Sequence, residues 1–299
     1  SAPKVPLLDS LYGKTIFSGS SNGLGGTVSS SLTRSNQNGL YTAFQGSLKR
    51  YGDFNAPNYN LSNTGVFERN IAATIGFNRI DYGVEAYYSL FKNEIGILRA
   101  SHIGGAEDQV QAIASPVPSI INDFTYNIDA PRQDVTHHLA RIKGFKNIEN
   151  IGLISLQYDY QQNNRLEFDV RRGSNKDKAS VDLVLDTQTL TIDVASDISE
   201  KLTTKFGIVG SLQTNYANPE TGVRRLIPDY DKYSIAGFAS GNYDINQKWV
   251  LEAGFRFDYT HMNVFKFYRR SFWQDRGYDN QFSDLVVEEI GNQLLVNPH

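Results

Sequence analysis

The chain has 299 residues, and its 29 Lys+Arg against 32 Asp+Glu leave a net charge of -3, which gives no electrostatic footing for a nucleic-acid partner. With 40% hydrophobic and 20% charged residues it is not disordered; 17 Tyr and 17 Phe beside one Met and no Cys describe an aromatic, β-rich chain without disulfides, thiolate metal sites or cysteine nucleophiles. No stretch reaches the roughly 18 consecutive apolar residues of a membrane-spanning helix, which excludes a helical membrane protein but not a β-barrel, whose strands alternate. The opening Ser1-Ala2-Pro3-Lys4-Val5-Pro6 lacks the charged start and apolar core of a signal peptide.

Along the chain the dominant signal is period-two alternation. After a tight first hairpin near Gly19-Ser20-Ser21-Asn22-Gly23, Ile71, Ala73, Ile75 and Phe77 alternate with Asn70, Thr74, Gly76 and Asn78. Leu202, Phe206, Ile208 and Leu212 do so with Thr203, Lys205, Ser211 and Gln213. From Trp249 the split is widest: Leu251, Ala253, Phe255, Phe257 and Tyr259 against Glu252, Gly254, Arg256, Asp258 and Thr260. Such two-faced strands are antiparallel, because parallel strands buried on both sides read as continuous apolar runs. No segment shows a convincing helical period.

Connection lengths take turns. Short ones at 35–39, 78–81, 146–150, 197–201 and 244–248 alternate with long ones at 52–66, 94–134, 171–178, 215–229 and after 268. An up-and-down meander puts all short turns at one end and all large loops at the other, the asymmetry of outer-membrane barrels. Many strands exceed the roughly 9–11 residues needed to cross a membrane with tilt. About eleven strands are expected from Lys14 onward, an odd count that leaves two open edges, so the chain is expected to continue beyond both ends. Tyr82, Tyr88, Tyr158, Tyr160, Tyr243, Trp249, Phe257 and Tyr259 sit near strand ends as interfacial girdles would.

Arg224-Arg225-Leu226-Ile227-Pro228-Asp229-Tyr230, then 233–239 and 248–259, resemble the barrel of TonB-dependent outer-membrane receptors of the Bacteroidetes, as does Pro131-Arg132-Gln133 followed by Val135-Thr136-His137-His138-Leu139. The resemblance covers nearly the whole chain. It implies an all-β, antiparallel up-and-down transmembrane barrel of 22 strands, of which this chain is the first half. Residues 1–13 would be the linker from a plug that lies outside the sequence, and 14–299 a partial barrel. It further implies a receptor that imports a scarce ligand using energy passed through TonB, most often an iron–siderophore complex, with glycan, cobalamin or peptide as alternatives. The partners would be the TonB complex, outer-membrane lipid and lipopolysaccharide, the imported molecule, and a surface lipoprotein. No cofactor is implied.

Candidate site residues follow from chemistry. His137 and His138, with His102 and Asp123 nearby, offer imidazole and carboxylate to a metal or iron chelate, but neighbours on a strand face opposite sides, and ordinary strand histidines are the plainer reading. Arginine pairs at 171–172, 224–225 and 269–270 lie at the loop end, where they would hold an anionic siderophore or lipopolysaccharide phosphates, or serve as solvated loop charge. The ligand set expected on the loop side is Tyr126, Arg132, His137, Arg224, Arg225 and Tyr230; Tyr126, Tyr230 and Trp273 would also suit carbohydrate stacking. Glu252, Arg256 and Asp258 are expected to face the lumen and the plug. The competing enzyme reading is a closed 10- or 12-stranded hydrolase using His138, Ser155 and Asp159. Gly19-Ser20-Ser21-Asn22-Gly23 has the Gly-x-Ser-x-Gly spacing but lies in a tight hairpin rather than between a strand and a helix, so it marks no nucleophile, and Gly23-Leu24-Gly25-Gly26 lacks the helix and lysine of a phosphate loop.

Overall fold

The computed structural model describes residues 8–101, 105–171, 173–223, 225, 227–291 and 293–297. In chain order its elements are β1 (Ser10–Ser20), β2 (Gly25–Ser35), β3 (Leu40–Tyr51), β4 (Phe54–Ala56), β5 (Tyr59–Leu61), β6 (Val66–Asn78), β7 (Tyr82–Gly96), α1 (Ala106–Ala114), β8 (Arg132–Ile148) and β9 (Gly152–Phe168). There follow β10 (Val181–Ser199), β11 (Leu202–Ala217), β12 (Asp229–Asn246), β13 (Trp249–Arg269), α2 (Arg270–Asp275), β14 (Val286–Ile290) and β15 (Gln293–Val296), with short 3-10 turns in the loops. Eleven long strands, from 11 residues in β1 to 21 in β13, form one antiparallel wall in sequence order, and the small hairpin β14–β15 joins its β13 edge. A separate ribbon, β4–β5, lies within a loop.

The wall is a meander, so alternate connections share an end. At the turn end, Asn78 N–H donates to the Gly39 carbonyl (2.9 Å), Asn147 N–H to Asp81 (2.6 Å) and Asp244 N–H to Lys201 (2.8 Å). Asn and Gly set these turns. Asn36 Oδ1 accepts from Leu40 N–H at 3.0 Å, Asn246 Oδ1 from Lys248 and Trp249 N–H at 2.9 and 3.1 Å, and Gly39 takes φ +85. At the other end Gly52 N–H meets the Gly23 carbonyl and Gly96 N–H the Gly65 carbonyl. One connection breaks the expected alternation: the four-residue β1–β2 turn lies at the loop end, where Asn22 Oδ1 accepts from Asn55 N–H of the neighbouring loop (2.7 Å).

Register separates two chemistries. Across nine strands one row runs Thr42, Ile75, Ala86, Ile142, Tyr158, Leu190, Gly210, Ile235 and Tyr259. The adjacent row, on the opposite face, runs Ala43, Thr74, Tyr87, Arg141, Asp159, Thr189, Ser211, Ser234 and Thr260. Leu32, Phe44, Ile75, Ile142, Ile208, Ile235 and Phe255 on the first face are all exposed. An apolar face this broad, uncovered by any layer among the described residues, is a surface for lipid rather than water. Tyr82, Tyr243 and Trp249 bound it near the turns, whereas Tyr88, Tyr158, Tyr160 and Tyr259 lie at mid-strand and not near the strand ends as expected. From Trp249 to Tyr259 is about 33 Å of strand, or about 25 Å of height once tilted, the thickness of a barrel's apolar band.

Three expectations need revision. The first strand begins at Ser10, four residues ahead of the expected start. Helices α1 and α2 occur in stretches read as irregular loop; α1 buries no residue, so no packed apolar stripe marked it in the sequence. Beyond β13 the chain makes a small core of its own, with Trp273, Leu294 and Val296 packed by Tyr268, Tyr278, Leu285 and Val286. The wall stays open: β1 and β13 are not paired with each other among the described residues, which rules out the closed small barrel.

The faces give a direct stability test. Phe255, 72% exposed on the apolar face, changed to Arg should destabilise the intact protein by about 2–4 kcal/mol in urea-dependent folding into lipid vesicles. Ser240→Arg, on the polar face one strand away, should cost clearly less. Equal costs would contradict the assignment of faces.

Candidate ligand site at the loop end

The loop end is held together by buried polar side chains. Asp53, fully buried, accepts from Thr64 N–H at Oδ1 (3.0 Å) and Thr125 N–H at Oδ2 (3.3 Å). Ser62 Oγ accepts from Asn122 N–H at 2.7 Å. Asn63, in the left-handed region at φ +65, lies with Nδ2 within 3.0 Å of the Ile97, Asp129 and Pro131 carbonyls, while its Oδ1 accepts from Asp129 N–H at 2.8 Å. Left-handed backbone favours Asn among side-chain-bearing residues, so the conformation and the bonding select the same residue. These contacts fasten the long 97–131 connection to the 52–65 loop. Within the 52–66 connection, Ser62-Asn63-Thr64 is a turn-forming run, and that run alone carries no sign of its distant partners.

The expected ligand residues fall into different settings. Tyr126 donates its hydroxyl to the Leu24 carbonyl (2.6 Å), packs edge-on against Phe124 with centroids 5.1 Å apart, and accepts at its carbonyl from Arg50. Arg132, at the start of β8, lies with its guanidinium 3.9 Å above the Phe168 ring and its Nε 3.7 Å from Glu94 and 3.5 Å from Asp134. Arg225, its side chain 7% exposed, donates to the Ala217 carbonyl (2.7 Å) and Gln293 Oε1 (3.1 Å) and sits 3.0 Å over Phe267. Burial holds its pKa below the usual guanidinium value, opposed by Asp229 at 3.8 Å. It thus ties the 218–228 loop to the β14–β15 hairpin. Arg171 donates to the Thr221 carbonyl (3.0 Å), and Arg270 pairs with Glu289 (3.1 Å), so these arginines are engaged in holding loops. Arg224, Arg172 and His102 lie outside the described residues.

Tyr230 and His137 point to the polar face. Tyr230 donates to Gln213 Oε1 (3.0 Å), which in turn donates through Nε2 to Thr187 (3.0 Å); His137 Nδ1 is 3.4 Å from Asn163 Nδ2. His138 is on the opposite face, 2.8 Å from the Tyr88 hydroxyl. The two histidines therefore share no site, and among the described residues no cluster of His, Asp and Glu is arranged to hold a metal.

Further down the polar face, Arg141 pairs with Asp159 (2.5 Å), to which Gln157 also donates (2.6 Å); Tyr41 donates to Glu85 (2.5 Å), and Lys205 pairs with Asp193 (3.1 Å). Glu252, Arg256 and Asp258 share this face, and Arg256 grips Asp258 through Nε and Nη2, the latter at 2.7 Å. The hydrolase set is not assembled: Asp159 is engaged by Arg141 on one face while His138 stands on the other.

Asn63→Ala should loosen the joint rather than the wall. It removes the bonds to three carbonyls and places Ala in left-handed backbone, a combined local cost of about 2–4 kcal/mol. Limited proteolysis of the intact protein should then cut within 97–131 much faster than in wild type; an unchanged cleavage rate would show that the loop is held by other means.

No family model and no curated protein matches the chain. Solved structures do. The siderophore receptor PirA from Pseudomonas aeruginosa aligns over 87% of this chain and 40% of its own at TM-score 0.56 and 12% identity. The FrpB iron transporter from Neisseria meningitidis (F3-3 variant) aligns over 86% and 42% at 0.59 and 13%. The ferric-catecholate import receptor Fiu from E. coli K12 aligns over 86% and 45% at 0.60 and 13%. The chain spans about two fifths of the length of these receptors, and at such identities the likeness is one of fold. The fold is that of a partial antiparallel β-barrel wall, like part of the barrels of these receptors.

Proposed function

We propose that the intact protein is an outer-membrane TonB-dependent receptor that imports an iron–siderophore complex. The observation that carries this reading is the fold likeness to several iron and siderophore receptors over 85–87% of the chain. The two-faced wall agrees with it, since an apolar outside and a polar inside suit a pore in lipid. In this reading the loop end faces outward and meets the ligand first, while Glu252, Arg256 and Asp258 line the lumen and bond a plug recruited by TonB. His137 and Tyr230, with polar groups on the inner face near the mouth, contact the ligand as it passes. Tyr126, Arg132 and Arg225 shape the mouth by holding its loops, and Arg224, outside the described residues, is assigned to the ligand by its charge alone. Lipopolysaccharide surrounds the rim, and a surface lipoprotein would dock over the loops.

Removing the intact gene should abolish uptake of radiolabelled iron supplied as ferric catecholates or hydroxamates. Combining His137→Ala with Tyr230→Phe should lower uptake about 5–30-fold, the effect of losing about 1–2 kcal/mol of hydrogen bonding, with unchanged receptor abundance in the outer membrane. Normal iron uptake in the deletion strain together with lost uptake of cobalamin, oligosaccharide or peptide would overturn the iron assignment.

A further inference from the structure

On the apolar, outward face near the loop end, β3, β6 and β7 bring three cations together. Arg69 and Lys92 are direct cross-strand partners on this face, and both are exposed. Arg50 is the partner of Phe67, two residues from Arg69 along β6. Phe67 is contacted by both guanidiniums, with Arg50 Cζ 4.7 Å and Arg69 Cζ 4.5 Å from its ring centroid. Like charges directly opposite each other weaken a sheet unless something neutral or negative intervenes.

No carboxylate of the described residues supplies that counter-charge. Glu94, across from Phe67, lies against Arg132 instead, and Glu68 is on the other face with Lys49. Arg50 spends one donor on the Tyr126 carbonyl. The cluster is local, because the same outward face on β10 and β12 carries Asp182, Asp186, Asp229 and Asp231. It also sits at the top of an apolar stripe: Leu48, Phe44, Ile71 and Ile75 lie immediately below on the same strands, all exposed. Cations at the upper edge of a lipid-facing stripe match a molecule with acyl chains below and phosphate above.

We propose that Arg50, Arg69 and Lys92 bind the phosphates of a phosphorylated lipid headgroup in the outer leaflet, the chemistry of lipid A, with its acyl chains lying on Leu48, Ile71 and Ile75. The site differs from the loop arginines at 171, 225 and 270, which are taken up by protein partners. It rests on the reading that the barrel stands in an outer membrane with its loop end outward.

Native mass spectrometry of the detergent-purified full-length protein tests it with three probes: bisphosphorylated lipid A, the same lipid dephosphorylated, and inorganic pyrophosphate. The wild type should bind bisphosphorylated lipid A at least about tenfold better than the dephosphorylated lipid, and better than pyrophosphate. Arg69→Gln combined with Lys92→Gln should weaken that binding about 30-fold, whereas Arg34→Gln, on the same face at the turn end, should leave it unchanged. Equal binding by the double variant, or no preference of the wild type for the phosphorylated lipid, would overturn the proposal. Pyrophosphate binding as tightly as the lipid would mean a soluble anion and would overturn it too. If the double variant fails to fold, the wild type's preference between the two lipids decides. A protein that fractionates with the outer membrane and imports iron yet shows no lipid preference would refute this site and leave the transport reading standing.

Discussion

Backbone hydrogen bonding in lipid is the constraint on which the rest of this structure depends. A peptide group left unpaired in hydrocarbon costs several kcal/mol, more than any single side-chain preference along these strands, so a chain that crosses with strands must pair each with a neighbour. Here eleven long strands each pair with their neighbour in the wall, antiparallel and nearly without slippage; bulges occur in the wall only at 197–199 and 244–246, beside turns. Regular register then carries the alternation of every strand around the wall, and one apolar and one polar surface follow without further instruction.

The polar surface uses its side chains conservatively. Asp159, almost buried, is held by Arg141 and Gln157, and the Tyr230–Gln213–Thr187 chain passes hydrogen bonds across three strands. At the loop end the same economy applies to segments that no ladder restrains. Asp53 and Asn63 satisfy backbone groups of a connection more than thirty residues long, and Arg225 does so between two loops far apart in sequence. A mouth built this way keeps its shape while leaving residues such as His137 and Tyr230 on the inner face.

Much of the wall was legible because alternation and connection length are local signals. Leu251 to Tyr259 displayed their two faces in nine consecutive residues, and the asymmetry between turns such as Asn246-Gln247-Lys248 and loops such as 94–134 gave the meander. What escaped depended on contacts distant in sequence. Asp53 reads as an ordinary loop carboxylate until Thr125, 72 residues away, donates to it. The Arg pairs look alike as dipeptides, yet Arg225 is buried against Phe267 and Arg270 lies open beside Glu289. Arg50, Arg69 and Lys92 are scattered over 43 residues, and only the cross-strand register makes them neighbours. Helix α1 is not legible because none of its nine residues is buried, so they carry no buried stripe.

Which residues meet lipid and which meet water is decided most plainly along β13. The 299 residues hold no cysteine, so single cysteines can be placed along β13 in the full-length protein in its membrane once any cysteine outside these residues has been replaced. Labelled with a nitroxide, positions 251, 253, 255 and 257 should be reached by oxygen from the lipid phase and hidden from a water-soluble nickel chelate, while 252, 254, 256 and 258 should show the reverse. A two-residue period in that pattern is the predicted result; uniform access of the water-soluble reagent to all eight positions would contradict a strand in a barrel wall.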